Sequence, residues 1–226
     1  MWCIPDLDEE YVERMEDILA LYTRPLNPEE PVICFDEKSV QCLDEKRKSI
    51  RVKNGSVRRD YEYIRRGTAN VFCVVEPRSG RRLTKVTPNR KKKAFALMLR
   101  EVARAYPKAE TVHLVMDNLN THCEKSLIET FGETKGRKLW NRFTIHYTPK
   151  HASWLNQAEI EIGIYTRQCL GSRRINSFES LASETRAWRK YMNRKRPIIN
   201  WKFGVREARK KFSYSKMRGK ITLTGH

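Results

Sequence analysis

The apolar positions of the chain fall into short runs, and five of these runs have the pattern of β-strands. They are rich in β-branched and aromatic residues and are bounded by turn-forming or charged residues, which is typical of strands in a sheet. The predicted strands span residues 32–35, 68–76, 82–87, 112–116 and 143–147. The turn sequence PRSG at 77–80 joins the second strand to the third and predicts a β-hairpin.

Apolar residues recur every three or four positions in five other segments, and this period predicts helices. The predicted helices begin near residues 8, 89, 122, 153 and 176. Asp8 can cap the first helix, and three prolines between residues 25 and 31 break the chain after it. The last helix opens with NSFE at 176–179, which resembles a capping box. We expect the polar, basic segment after Lys210 to be loosely ordered.

The order of these elements favours an α/β domain with a mixed central sheet. Three strands in succession at the start suit antiparallel pairing, whereas the later alternation of strands and helices suits parallel crossovers. We therefore predict a mixed five-stranded sheet with helices on both faces. Residues 1–31 would form an acidic helix and linker, residues 32–200 the main domain, and residues 201–226 a basic tail.

Length and composition exclude several classes of protein. A chain of 226 residues with 39% hydrophobic residues can bury a substantial core. No apolar run approaches the roughly 20 residues that span a bilayer, and the N-terminus turns acidic instead of forming an apolar signal core. Membrane insertion and secretion are therefore not expected. The six cysteines are scattered without close pairs, which argues against a disulfide framework and against a zinc site.

The chain is strongly basic, and its charge is unevenly distributed. It has 46 Lys and Arg against 27 Asp and Glu, a net charge of +19, yet residues 1–36 hold ten acidic and only two basic side chains. The electrostatic field of a protein with this net charge attracts polyanions, most commonly nucleic acid. The alternatives are a solvated basic face or a ribosome-associated protein. The candidate contacts to a DNA backbone are Arg90, Lys91, Lys92, Lys93, Arg173, Arg174, Arg194, Lys195 and Arg196.

Two of the predicted strands are followed directly by an aspartate. Asp36 follows VICF, and Asp117 follows VHLVM. Sites in open α/β sheets form at the carboxyl ends of strands, so these two side chains are expected to point into a crevice. Neighbouring carboxylates repel each other and are tolerated best when a divalent cation lies between them. The alternative is that each aspartate only caps a turn, which is a common role for this residue.

The helix predicted near residues 153–170 offers a third carboxylate. At roughly 100° per residue, Glu159 lies at the edge of the apolar stripe, beside Ala158 and Ile162, where it can reach the sheet. The same geometry predicts that Glu161 lies on the outer face. Helix geometry therefore favours Glu159 over Glu161 as a site residue, with an ordinary surface position as the alternative.

Three sequence blocks resemble the catalytic blocks of DDE transposases. They are FDEKSVQ at 35–41, MDNLNTH at 116–122 and YTPKHASWLNQAEIEIGIYTRQCL at 147–170. They are similar to those of the bacterial insertion sequence 630 type, within the mariner-like superfamily. This resemblance implies an RNase H-like fold and a catalytic, metal-binding triad of Asp36, Asp117 and Glu159. It also places His122 in the second block, where its side chain could face the DNA backbone or serve in packing.

The resemblance further implies a reaction, a cofactor and partners. Two Mg²⁺ ions about 3.5–4 Å apart, for which Mn²⁺ can substitute, would support hydrolysis of double-stranded DNA to a 3′-OH and transfer of that end to a target. Family members act on transposon ends as homodimers, in the bacterial cytoplasm at the nucleoid. Complete members recognise those ends through an N-terminal helix-turn-helix module, for which this chain leaves no room. We therefore expect end recognition to need a separate helix-turn-helix segment.

Two other functions remain open. One is a non-catalytic, basic DNA-binding remnant of a transposase, and the intact triad argues against it. The other is a different RNase H-like nuclease, and the Ser-Trp-Leu-Asn sequence of the third block, followed by its Glu, argues against that.

Overall fold

A computed structural model describes residues 7–47, 50–51, 57–58, 60–217 and 220–223 of the chain. The remaining parts of the predicted N-terminal segment and tail, residues 1–6, 218–219 and 224–226, lie outside the described residues. In chain order the strands are β1 (Val32–Glu45), β2 (Ile50–Arg51), β3 (Val57–Arg58), β4 (Tyr63–Glu76), β5 (Arg81–Thr87), β6 (Val112–Met116), β7 (Phe143–Tyr147), β8 (Tyr214–Met217) and β9 (Lys220–Leu223).

The helices cover both faces of the central sheet. They are α1 (Glu9–Thr23), α2 (Lys92–Ala105), α3 (Glu124–Phe131), α4 (Glu133–Trp140), α5 (Ala158–Tyr165), α6 (Phe178–Lys195) and α7 (Val205–Phe212). A 3₁₀ turn, Ser153–Leu155, precedes α5, and a π-helical turn, Thr166–Leu170, follows it. Within the described residues, none of these helices is both long enough and apolar enough to span a membrane.

The central sheet has five strands in the order β5-β4-β1-β6-β7. The first three strands in the sequence of this sheet, β1, β4 and β5, pair antiparallel, whereas β6 pairs parallel with both β1 and β7. This arrangement confirms the predicted mixed sheet, in which the leading strands form the antiparallel half and the crossover helices lead into the parallel half.

Alternation along β1 divides the core into two layers. Cys34 points to the face that α1 and α7 cover, while Ile33 and Phe35 point to the opposite face, which α2 covers. Asp8 caps α1, as predicted, because its Oδ1 accepts a hydrogen bond from the Tyr11 backbone N–H at 2.7 Å. A third cluster lies where α6 and the π-helical turn pack against the outer parts of β1 and β4.

Several elements differ from the sequence prediction. Strand β1 was predicted to end at Phe35 but runs on to Glu45, 14 residues in all, because its polar second half pairs with β4. Helix α4 was not predicted. It packs so closely on α3 that a Cβ on Gly136 would lie 2.7 Å from the Ile128 Cα, so glycine is required at this crossing.

The chain after residue 200 is ordered in its described part, so the expectation of a loose segment after Lys210 is wrong there. Helix α7 buries Ala208 and Phe212 against α1, and Tyr214 is buried beside them. Strands β8 and β9 then pair antiparallel. Ala208 and Phe212 are four residues apart, a helical spacing that could have predicted α7. The basic composition of the surrounding sequence hid this spacing.

Candidate active site

The register of the sheet places Asp36 and Asp117 side by side. Cys34 of β1 lies opposite Val115 of β6, and each aspartate lies two residues further along its strand. Residues two apart share a face, and neighbouring strands are about 4.8 Å apart, so the two carboxylates project from adjacent positions on one face. The pairing of β1 with β6 ends at Cys34. At Asp36, β1 is therefore no longer paired with β6 on one side, although it continues to pair with β4 on the other.

Glu159 is brought to this point by the amide of Asn156. The buried Asn156 side chain donates from Nδ2 to the Phe35 carbonyl oxygen at 2.8 Å, and its Oδ1 accepts from the Ala158 N–H at 3.1 Å. One side chain thus caps the start of α5 and ties it to the residue before Asp36. Glu159, in the first turn of α5, is exposed and close enough for its charge to act on Asp36.

The surroundings of Asp36 disfavour its charged form. Burial is the largest cause that raises the pKa of Asp36, and the charges of Glu159, Glu37 and Asp117 raise it further, to about 7. The backbone N–H of Glu37, which donates to Asp36 Oδ1 at 2.7 Å, opposes this rise. Such a cluster is stabilised when a cation neutralises it.

The donor set fits a hard divalent cation. Carboxylate oxygens are the ligands that Mg²⁺ and Mn²⁺ prefer. Within the described part of the chain, no three His, Cys, Asp or Glu side chains converge closely enough to form a complete metal site by themselves. Mg²⁺ usually keeps several waters and binds through one or two carboxylates together with substrate phosphates, so Asp36, Asp117 and Glu159 fit a site that DNA would complete.

The prediction for Glu161 is wrong. Its side chain is 0% exposed and forms an ion pair with Arg82, which is 1% exposed, with Arg82 Nε lying 2.5 Å from Glu161 Oε1. The predicted apolar stripe is present, because Ala158, Tyr165 and Cys169 are buried. Glu161 lies three residues after Ala158 and four before Tyr165, so it borders this stripe, and Arg82 from β5 supplies the partner that lets it be buried.

His122 does not face solvent, so its predicted contact with a DNA backbone is not supported. Its side chain is 1% exposed, with Nδ1 2.6 Å from Asp117 Oδ1 and Nε2 3.3 Å from Glu37 Oε2. Burial by itself lowers the pKa of His122, but its contacts with the Asp117 and Glu37 carboxylates outweigh burial and raise the pKa to about 9. The imidazole is therefore protonated at neutral pH. Glu37, next to Asp36 in the first block, was not predicted as a site residue.

Residues 31–182 match the family described as DDE superfamily endonuclease, which is more than half of the chain. The chain belongs to this family. A comparison with curated proteins found no match.

Solved structures of Mos1 mariner transposase share the fold of this DDE family member. The paired-end complex with Mn is 16% identical with a TM-score of 0.56, and the match covers 87% of this chain and 61% of that one. A pre-cleavage Mos1 transpososome is 16% identical with a TM-score of 0.55, and the match covers 87% of this chain and 61% of that one. The chain thus spans about three fifths of the length of these relatives.

A groove runs past Asp117 on both sides. On one side a cavity of about 630 Å³ is lined by Asp117, Lys150 and His151, among others. On the other side a cavity of about 580 Å³ is lined by Arg90 and Lys91. The two cavities share Asn118 and Leu119 as lining residues. Lys150, which was not predicted as a site residue, adds a cation to the first cavity, whose lining also includes the acidic residues Asp8 and Glu10.

The predicted DNA-binding cations fall into three places. Arg90 and Lys91–Lys93 surround the start of α2, beside the groove. Arg173 pairs with Glu184 of α6 at 3.2 Å, and Arg174 donates to the Asp60 and Glu62 carbonyl oxygens just before β4.

The remaining three cations, residues 194–196, lie at the far end of the sheet. A Cβ on Gly80, in the turn between β4 and β5, would lie 2.7 Å from the Arg196 carbonyl oxygen. The β1–β4 register puts this turn beyond the amino end of β1, whereas Asp36 lies four residues into that strand, opposite Cys73. The structure therefore brings only the first of the three groups to the acids.

Proposed function

We propose that this chain is the catalytic core of a DNA transposase of the insertion sequence 630 type. In this proposal it cleaves one DNA strand to a 3′-OH and transfers that end to a target strand. The observation that carries the proposal is the parallel register of β1 and β6, which aligns Asp36 with Asp117 at an open strand edge. The link from Asn156 to Phe35 adds Glu159 to the same edge.

Asp36, Asp117 and Glu159 would hold two divalent ions, Mg²⁺ or Mn²⁺. When bound, such a pair activates the attacking oxygen and stabilises the leaving oxygen. The adjacent positions of Asp36 and Asp117 suit ligands of a shared ion, and the exposed Glu159 suits the second ion. The raised pKa of Asp36 supports this role, because a cation removes the repulsion that raises it.

The residues along the groove would position DNA. Arg90 and Lys91–Lys93 on one side, and Lys150 on the other, are placed to contact phosphates on both sides of Asp117. Such contacts fix the register of a duplex without reading its sequence. The net charge of +19 favours this partner over neutral ones.

The assembly and its setting also belong to this proposal. The Mos1 relatives were solved as paired-end and strand-transfer complexes, and we infer that this chain likewise acts as a homodimer on two DNA ends. A helix-turn-helix segment separate from residues 7–223 would recognise those ends. The expected setting is the bacterial cytoplasm, at the nucleoid.

Nicking of supercoiled plasmid in the presence of Mn²⁺ or Mg²⁺ tests the proposal. We expect metal-dependent nicking by the wild type and a loss of at least about 100-fold in Asp117→Asn, because one ligand is removed while the fold is kept. Glu133→Gln, an exposed carboxylate on α4 paired with Arg137, is the matched control and should nick like the wild type.

Each other outcome has a distinct meaning. Substantial nicking by Asp117→Asn would contradict the site. DNA binding without nicking by the wild type would favour a non-catalytic remnant. Nicking without joining of a pre-cut 3′-OH end to target DNA would favour another RNase H-like nuclease.

A further inference from the structure

Two buried polar side chains, Glu37 and His122, lie behind the catalytic face of the sheet. Glu37 follows Asp36 in β1 and therefore points to the opposite face, where its side chain is only 2% exposed. His122 lies beside it on the same face, in the core between β1 and α2. Its imidazole lies between the two carboxylates, with Nε2 3.3 Å from Glu37 Oε2 and Nδ1 2.6 Å from Asp117 Oδ1, and Nδ1 also lies 3.2 Å from the Asp117 backbone carbonyl oxygen.

The imidazole is held so that it cannot rotate freely. Its ring stacks on Phe95 with the centroids 4.7 Å apart and meets the edge of Phe35 at 5.3 Å. The Tyr147 hydroxyl donates to the His122 carbonyl oxygen at 2.7 Å and so holds the backbone of the loop. The direction of the two ring nitrogens is therefore determined by packing.

The Asp117 side chain needs a contact that fixes its orientation. It follows the last residue of β6, where the ladder hydrogen bonds no longer constrain the backbone, and its side chain is 42% exposed. A carboxylate in this position would otherwise sample several rotamers, and ordering it at the moment of metal binding would weaken the affinity.

We propose that His122 and Glu37 are positioning residues that hold the Asp117 carboxylate in the orientation that binds a divalent ion. This inference rests on the proposed function. Glu37 is not itself a ligand, because it points away from Asp36 and its oxygens face His122 and Arg90. Polar partners of metal ligands typically change metal affinity by 10- to 100-fold when they are removed.

Two substitutions of His122 separate positioning from simple packing. The side-chain amide of Asn reaches the position of His Nδ1, so His122→Asn keeps a donor to Asp117. The amide of Gln reaches the position of Nε2, so His122→Gln keeps a donor to Glu37 and loses the one to Asp117. Both variants remove the aromatic ring from the same site, so a purely structural role would affect them alike.

The measurement is the Mn²⁺ affinity of the protein bound to duplex DNA, because substrate phosphates are expected to complete the site. It is determined from the electron paramagnetic resonance signal of free Mn²⁺, with the duplex alone as the blank. We expect His122→Gln to bind Mn²⁺ about 10-fold more weakly or worse, and His122→Asn to stay within about 3-fold of the wild type. His146→Gln is the control, because His146 is also a buried histidine, and the carboxylate with which it pairs, that of Asp17, is not one of the three acids. It should retain the wild-type affinity.

Equal Mn²⁺ affinities of the wild type and His122→Gln would overturn this inference alone. If the wild type binds Mn²⁺ no better than Asp117→Asn, the proposed function fails and this inference fails with it. If His122→Gln does not fold, as judged by its thermal transition, Glu37→Gln replaces it. That variant keeps the side-chain volume and should weaken Mn²⁺ binding several-fold, and an unchanged affinity would overturn the inference.

Discussion

Arg82 and Glu161 form an ion pair that is closed off from solvent, and every nitrogen of the guanidinium has a partner. Nε and Nη2 donate to the Glu161 carboxylate, Nη1 donates to the Gly80 carbonyl oxygen, and Nη2 also donates to the Pro197 carbonyl oxygen. The pair therefore joins β5, α5 and the segment after α6. Because Glu159 lies in the same helix as Glu161, the pair also determines how α5 is rotated about its axis.

Removing one charge of this pair should destabilise the fold strongly. Glu161→Gln leaves the buried Arg82 without a counter-charge, and we expect a loss of about 3–5 kcal/mol in the free energy of unfolding. The measurement is urea denaturation. The double variant Arg82→Met/Glu161→Leu removes both charges and should lose less than the single variant. Equal losses would contradict a buried, mutually dependent pair.

At the scale of elements, the connection from β7 to α5 determines where the third acid lies. The chain changes direction at His151, which has a positive φ of 63°, and forms a 3₁₀ turn before the helix begins. Two side-chain hydrogen bonds hold this stretch to the rest of the fold. The Tyr22 hydroxyl donates to the Leu155 carbonyl oxygen at 2.6 Å, and the Asn156 amide donates to the Phe35 carbonyl oxygen at 2.8 Å. The Asn in the third sequence block thus has a structural reason that the block itself does not reveal.

Asn156→Ala should weaken both the fold and the site. It leaves the buried Phe35 carbonyl oxygen without its side-chain donor, which costs about 1–3 kcal/mol, and frees the start of α5. We expect plasmid nicking to fall about 10-fold or more at a temperature where the variant is still folded, because Glu159 loses its alignment. Asn141→Ala, an exposed position after α4, is the control and should change neither. Normal nicking by Asn156→Ala would contradict the anchoring role.

At the scale of the whole molecule, acidic and basic regions are separated and partly neutralise each other. The acidic helix α1 packs against α7, and Glu16 forms an ion pair with Arg209 at 2.8 Å. Asp17 of α1 pairs with His146 at 2.6 Å. Glu16 of α1 is thus placed against the basic tail. Around the start of α2, Arg90 pairs with Glu37 at 3.4 Å and Lys92 pairs with Glu129 at 2.8 Å, while Lys91 and Lys93 line the cavities beside them.

This separation predicts where DNA binds. The logarithm of the affinity for arbitrary duplex should fall steeply with the logarithm of salt concentration. Replacing Lys91, Lys92 and Lys93 with Gln should reduce the slope by about 2–3, since each lost phosphate contact removes about 0.9. The matched variant at residues 194–196, at the far end of the sheet, should reduce it by less than about 1. A flat salt dependence, or a larger effect at 194–196, would contradict the proposed path of DNA.

Much of this arrangement could be predicted from the sequence. The five strands, the order of the helices around them and the mixed sheet follow from hydrophobic period and turn residues, which report local structure. The positions of Asp36 and Asp117 after apolar runs, together with the three sequence blocks, indicated the acids and the family. Strands, helices and sequence blocks are each determined by residues that lie close together in the sequence, so they can be recognised without the tertiary structure.

Only the tertiary structure decided which partners the buried polar groups have. Glu161 was predicted to be a surface residue because its partner, Arg82, lies on a strand far away in the sequence. Whether His122 faces the DNA backbone or serves in packing stayed open, because Glu37 and Phe95, which enclose it, come from β1 and α2. A buried charge is stable only when a specific partner is supplied. Hydrophobic period shows which face of an element is buried, whereas the identity of that partner depends on which distant elements pack together.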